Sequence, residues 1–395
     1  MDLLPVYLDH AATTPVRPDV IAAMLPYWQS VPGNPSSIYG WGREAKRAVE
    51  DARELVAGAL RCRPQEVIFT SGGTEADNVA LKGVAFANFD RGNHLITSAI
   101  EHHAILHTCE FLEQFGFETT VLPVDEHGQV SVADVAAAIK PETTLISIMY
   151  ANNEVGTIQP IRDIARIAHA HGALVHTDAV QAAGSLPLDV RELEVDLLSL
   201  AAHKFYGPKG TGVLYVRQGV EWQPQQRGGS QERNRRAGTE NTAGIVGLAK
   251  ALDLATGAMV ERTAHYQRLR DRLIEGILSD VPAARVTGHP RQRLPNSASF
   301  AFHNVEGESI LLGLDVKGIY ASSGSACTSG SLELSHVLVA LGLPVEWARG
   351  SLRLTTGVDN TPAQIDYVLR ELVPLLATLR EMAPPPASPA LAEAS

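Results

Sequence analysis

Lys204 follows the apolar run "DLLSLAA" almost directly and sits between His203 and the tight turn "YGPKG". An amine desolvated at a strand end loses its proton more easily than a surface lysine, and it can form a Schiff base with an aldehyde. Asp178 leaves another apolar run in "ALVHTDAVQ", with Gln181 one helical turn further on. A carboxylate is costly to bury there unless it meets a positive partner, and a protonated pyridine nitrogen is one; a helix N-cap is the ordinary alternative. In "SGGTEADN", Ser71, Gly72, Gly73 and Thr74 turn from a strand into a helix. Free N–H groups at a helix start make a phosphate cradle, and a tight turn capped by Thr or Glu fits equally well. Lysine for an aldehyde, aspartate for a ring nitrogen and a helix N-terminus for a phosphate are together the requirements of pyridoxal 5'-phosphate.

Two further groups are chemically notable. "AIEHHAILHT" carries His102, His103 and His107. The i, i+4 pair shares a helix face, as metal ligands do, yet no acidic or cysteine cluster joins it, so no metal is expected. An aromatic ring stacked on a pyridine face is the better use of one of these imidazoles. "ASSGSACTSG" places Cys327 among small polar residues that cannot bury it, which leaves an accessible thiol with a pKa near the usual 8.5. Cys62 and Cys109 lie in helical or turn contexts and are read as incidental.

The elements that must position these groups alternate. "EVIFTSGG", "NHLITSAI", "TTLISIMYA", "ALVHTDA", "VDLLSLAA" and "GVLYV" are short apolar runs, separated by helical patterns such as "TEADNVALKGVAFANF" and "IRDIARIAHAHG". Strands without inside/outside alternation are buried on both faces, and helical crossovers between them predict a mostly parallel sheet, hence an α/β fold. In such sheets ligands bind beyond the carboxyl ends of the strands, where each of these candidate residues falls. From about Thr263 the texture changes to a long charged helix, "AHYQRLRDRLIEGILSD", strand-like "NSASFAFHN" and "GSLRLTTG", and a final helix.

At 395 residues and 45% hydrophobic content the chain exceeds one core. A large α/β domain over residues 14–260 is expected, with a smaller α+β domain built from 1–13 and 261–382. The Pro/Ala/Ser-rich residues 383–395 read as a disordered tail. A net charge of −11 disfavours nucleic acid or an anionic membrane as the main partner. No basic, apolar leader or membrane-length apolar run is found, and three scattered cysteines suit a reducing cytoplasm. Arg227, Arg233, Arg235 and Arg236 fit a solvated face as readily as an interface.

"YLDHAATTPV", "SGGTEADN", "EHHA", "NNEVGTIQP", "HTDAVQAAG", "HKFYGPKG", "RRAGTENTAGIVG" and "SGSACTS" together resemble the NifS/IscS-type cysteine desulfurases, class V aminotransferase relatives of fold-type I. The resemblance implies that Lys204 holds pyridoxal 5'-phosphate and that Asp178 and Gln181 meet its ring nitrogen and phenolic oxygen. It implies that His102 stacks on the ring, and that Ser71, Gly73, Thr74 and His203 meet the phosphate. Thr239 would reach the phosphate from the second subunit of a homodimer, and Asn153 and Arg353 would clamp the substrate carboxylate, with Asn34 nearby. Many relatives carry serine where this chain has Ala201, which removes one phosphate contact.

The implied reaction takes sulfur from L-cysteine onto Cys327 as a persulfide, leaves alanine, and hands the sulfur to an acceptor such as an iron–sulfur scaffold. If residues 321–331 move, a tip about five residues from either anchor, at roughly 3.3 Å each, sweeps on the order of 15 Å. Selenocysteine lyase, another class V enzyme and a non-catalytic assembly scaffold are the alternatives; Cys327 argues against transamination, which needs no thiol.

Overall fold

The structure is a computed structural model that describes residues 4–324 and 334–382. Cys327, most of the segment 321–331 and the expected tail 383–395 lie outside the described residues. In chain order the strands are β1 (Val6–Tyr7), β2 (Val67–Thr70), β3 (His94–Ser98), β4 (Glu118–Leu122), β5 (Thr143–Ser147), β6 (Leu174–Asp178), β7 (Leu197–Ala201), β8 (Gly212–Val216), β9 (Ala284–Val286), β10 (Ser297–Phe302), β11 (Ile319–Tyr320) and β12 (Ser351–Thr355).

A seven-stranded sheet runs in the order β2-β8-β7-β6-β5-β3-β4. Its strands are parallel except β8, which is antiparallel to both β7 and β2. The period of two along each strand divides the apolar residues between two layers. Ile68, Leu145, Leu197 and Leu214 pack under the helices Gly73–Ala87 and His103–Glu113. Phe69, Ile146, Val175 and Val213 pack under Gly40–Leu60 and Thr242–Gly257. Burial on both faces is why the sequence shows continuous apolar runs here. The exception is β4, absent from the sequence reading: it is an edge strand, so Glu118 and Val121 are exposed and Thr119 and Thr120 half-buried. Water on that side permits polar residues, and the apolar run disappears.

The second part is built on an antiparallel sheet ordered β12-β10-β9, packed on the helices Met259–Asp280 and Pro362–Met382. Phe300, Phe302, Leu354, Leu273 and Leu372 form its centre, and Val6 and Leu8 from the chain start join them. The long charged helix begins earlier than its sequence suggested, at Met259, because the break at Ala258 bends the preceding helix by 74°. Strand β1 pairs in parallel with β11, and a bridge joins Asp9 to Thr355. The next residues then cross to the large sheet, where Thr14 N–H donates to the His203 carbonyl at 2.9 Å. No single helix among the described residues is long and apolar enough to cross a membrane.

Candidate active site

The carboxyl ends of β2, β3, β5, β6 and β7 open on one edge, and the segments leaving them carry the candidate residues. Lys204 stands at the end of a short 3-10 turn, Ala202–Lys204, directly after β7. Its Nζ donates to the carbonyls of Ala11 (2.6 Å) and Ala12 (2.8 Å). Gln181 Nε2 donates to the same Ala11 oxygen at 2.9 Å. Asp178 closes β6 with its side chain buried, and its Oδ1 accepts the Val180 N–H at 2.9 Å. The ordinary reading of Asp178 as a local cap is therefore half right, since one oxygen does that. Burial pushes its carboxyl up to about 6, opposed by the Val180 N–H and by the charge of Lys204. A buried carboxylate with so little positive company suits a cationic ring nitrogen.

At the start of helix Gly73–Ala87, a cavity of about 440 Å³ is lined by Thr13, Ser71, Gly72, Gly73, Thr74 and His203. Gly73 is required by packing, because a Cβ there would lie 2.7 Å from Val180 Cγ2. The cradle and the capped turn of the sequence reading coexist. Glu75 reaches back so that its Oε2 accepts the Ser71 N–H at 2.7 Å, which commits that donor to the turn rather than to a ligand. Ala201 is buried at the strand end, about 3.6 Å from the position of that same added Cβ. His203 Nδ1 lies 3.1 Å from Thr13 Oγ1, and burial lowers the imidazole to about 4.

His102 caps the helix His103–Glu113, its Nδ1 accepting the Ala104 N–H at 3.1 Å. Burial, followed by the charge of Lys204, lowers it to about 4, so it is a neutral ring at physiological pH. His103 stacks on His107 at 4.9 Å and meets His336 at 4.7 Å. Among the described residues no three His, Cys, Asp or Glu side chains converge to hold a metal ion.

On the far side, Arg353 is buried on β12. Its Nη2 donates to Asp9 Oδ1 at 2.8 Å and its Nη1 to the Asn153 carbonyl at 2.9 Å, while Nε is buried with no hydrogen-bond partner among the described residues. Asn153 therefore meets Arg353 through its backbone. Ser322 brackets Arg353 by a β-bridge, its carbonyl accepting the Arg353 N–H at 2.6 Å, so the chain leading toward Cys327 starts at this arginine. Asn34 Oδ1 accepts the Ser36 N–H at 2.9 Å in a local turn. Thr239 is exposed and does not line the phosphate cavity of its own chain. Burial pushes the thiols of Cys62 and Cys109 up to about 12.

Sequence reasoning missed the supports. The Ala11 and Ala12 carbonyls and Asp9 lie in "YLDHAATTPV", whose composition announces no chemistry. It also missed Glu101, fully buried, whose carboxylate accepts from Ser98 Oγ at 2.6 Å and from the Met149 N–H. Burial raises Glu101 to about 8 from its ordinary 4.5. The folded chain thus keeps a proton that the unfolded chain releases, so this group costs stability progressively as pH rises from about 4.5 to about 8. Glu101→Gln removes that dependence. Its stability relative to the native protein is expected to grow across this window, by on the order of 1 kcal/mol or more; thermal melts at pH 5 and pH 8 with an unchanged difference would contradict the assignment.

A family model, Aminotransferase class-V, matches residues 6–368. The chain belongs to the class-V aminotransferase family. Within this family it is 56% identical over 379 residues to a cysteine desulfurase IscS of Methanosarcina thermophila, covering 96% of this chain and 94% of that protein. A cysteine desulfurase IscS of Clostridium botulinum is 53% identical over 382 residues, 96% of either chain. Among solved structures of the family's fold, a NifS-like protein superposes with a TM-score of 0.90 at 39% identity, covering 95% of this chain and 100% of that one. SspA, solved in complex with cysteine, superposes with a TM-score of 0.78 at 37% identity over 89% of this chain and 98% of its own. This class-V chain therefore lies among the cysteine desulfurases in sequence and in fold.

Proposed function

We propose that this cysteine desulfurase uses pyridoxal 5'-phosphate, held by Lys204, to take sulfur from L-cysteine onto Cys327, giving L-alanine. The observation that carries the reading is the convergence of Lys204 and Gln181 on one carbonyl beside the buried Asp178. The residues fit the cofactor: a weakly compensated carboxylate for its ring nitrogen, a neutral imidazole for its face and a helix-start cavity for its phosphate. Bound there, it supplies an aldehyde for an amine and a ring that stores electrons.

The chain's own residues do the rest. Asp178, ionised, keeps positive charge at the ring nitrogen, and His102 covers the ring. Ser71, Gly73, Thr74 and His203 enclose the phosphate, joined by Thr239 of a second subunit. The Ala11 and Ala12 carbonyls hold Lys204 Nζ where it can take the substrate's Cα proton and return it. Arg353 is already paired with Asp9 and the Asn153 carbonyl, so the substrate carboxylate shares that guanidinium. Cys327 attacks as a thiolate: its Sγ forms the new S–S bond as the substrate's C–S bond breaks, and the three-carbon product leaves as alanine after gaining a proton. Sulfur then passes to an acceptor protein, such as an iron–sulfur scaffold, in the cytoplasm. We also read the chain as two domains, 14–260 and 1–13 with 261–382, supported by the packing of Val6 and Leu8 with Phe300 and Leu354.

The test is product analysis with purified protein, pyridoxal 5'-phosphate and a reductant. L-cysteine should yield alanine and sulfide in equal amounts. No alanine from cysteine, with rapid release from selenocysteine, would replace this reading by selenocysteine lyase; no product from either would leave the scaffold.

A further inference from the structure

Outside the site, the most strained stretch of backbone lies just before Thr239. Glu232, Arg233 and Asn234 have φ of 44°, 60° and 64°, three consecutive non-glycine residues in the left-handed region. Such conformations cost energy and persist only where the surroundings over-determine them. Here the surroundings are a buried ion pair. Arg53, on helix Gly40–Leu60, meets both carboxylate oxygens of Glu232, with Nη1 2.9 Å from Oε2 and Nη2 2.7 Å from Oε1; both residues are buried. Glu232 Oε2 also accepts the Phe69 N–H at 3.1 Å, and Arg53 Nη1 donates to the Val67 carbonyl at 2.9 Å. These bonds use the outer edge of β2, a sheet edge with no neighbouring strand.

The chain beyond is pinned in turn. Arg235 donates to the Val67 carbonyl at 3.2 Å, and Arg236 Nε meets Glu75 Oε1 at 2.9 Å. Asn241 then caps the helix Thr242–Gly257, its Oδ1 accepting the Gly244 N–H at 3.1 Å. Between these fixed points Thr239 is exposed, and Glu240 Oε2 is buried with no hydrogen-bond partner among the described residues. A segment strained and fastened at both ends holds the exposed Thr239 in a fixed place on the surface.

We propose that the buried Arg53–Glu232 pair is the positioning device that presents residues 237–240 to the phosphate site of a neighbouring subunit, so that cofactor retention in one subunit depends on an ion pair inside the other. This rests on the dimer reading given above. Removing Arg53 alone would leave the buried Glu232 carboxylate uncompensated and risk unfolding, whereas Arg53 without Glu232 still meets Glu50 at 3.3 Å. Arg53→Met with Glu232→Gly removes both charges, and glycine keeps positive φ accessible, so the fold stands while the anchor is lost.

The test uses two co-expressed, differently tagged dimers, checked by circular dichroism and light scattering. In the first, Lys204→Ala and the anchor pair of substitutions share one chain and the other chain is native; in the second they are on opposite chains. Only a chain with Lys204 holds the cofactor covalently, so visible absorbance reports a single site. In the first dimer that site receives its crossing segment from the altered chain. Absorbance after dilution into a cofactor trap is expected to decay about tenfold faster than in a Lys204→Ala/native control, the loss of one hydrogen bond to a charged phosphate. In the second dimer it should decay as in the control. Fast decay in the second dimer alone would place the segment's action within its own chain and overturn the dimer reading with the proposal. Unchanged decay in both would overturn the proposal alone, provided Thr239→Ala on the Lys204→Ala chain still speeds loss.

Discussion

Lys204→Ala is expected to leave a protein without the visible absorbance of covalently held pyridoxal 5'-phosphate and without alanine formation above background. The expected cost is several orders of magnitude, because in the function proposed above one amine serves both as the attachment point and as the base at the substrate's Cα. A substitute lysine is close at hand, which makes the experiment informative. Lys209 lines the cavity at the start of helix Gly73–Ala87, but it is exposed. Lys204 Nζ instead is fixed by two carbonyls at 2.6 and 2.8 Å. Fixed geometry at the reacting centre separates these two amines, and absorbance that survives Lys204→Ala and maps by reduction and peptide analysis to Lys209 would refute the assignment. Asp178→Ala is the matched control: it should retain the covalent absorbance and lose turnover, since it alters the ring's charge and leaves the attachment intact.

Cys327→Ala should separate cofactor chemistry from sulfur chemistry. Lys204, Asp178 and the phosphate cavity are untouched, so the variant should bind cofactor and respond spectrally to L-cysteine while making no persulfide, with alanine and sulfide falling close to background. The other two thiols cannot stand in. Burial holds Cys62 and Cys109 at about 12, which leaves almost no thiolate at neutral pH. Alkylation of the persulfide followed by peptide mass spectrometry locates it; extra sulfur on Cys62 or Cys109 with native turnover in Cys327→Ala would reverse the conclusion. Shortening the chain at Ser322 is a poor probe of the loop's reach, because Ser322 exchanges backbone hydrogen bonds with Arg353 and its removal would disturb that arginine directly.

The parts of this molecule legible in the sequence share a physical cause. Strands β2, β3 and β5 to β8 are buried on both faces and advertise themselves as apolar runs, and the residues that leave them carry the reactive groups. Strand β4 escaped because one side faces water. The supports of the site escaped because they are backbone contacts between distant parts of the chain. The Ala11 carbonyl is 193 residues from Lys204, and nothing in the identity of an alanine says that its oxygen will hold an ammonium. The pairing of Arg353 with Asp9, 344 residues earlier, is likewise a contact only the fold supplies. The arginines before Thr239 read as a face or an interface, whereas Arg235 and Arg236 are committed to Val67 and Glu75 of their own chain.

The first strand's pairing with β11 bears on how the protein is made. A chain emerges from the ribosome N-terminus first, at about 5–20 residues per second, and the large sheet can form once β8 is out. The oxygens that hold Lys204 are then fastened on one side only. They sit on a segment bonded on one flank to the large sheet, through Thr14 and His203, and on the other to Ile319, Tyr320 and Thr355, which are still inside or behind the exit tunnel. For many seconds of synthesis the nascent chain carries a large sheet with the bracing of its lysine half made. That bracing is completed only when Thr355 has emerged, near the end of translation.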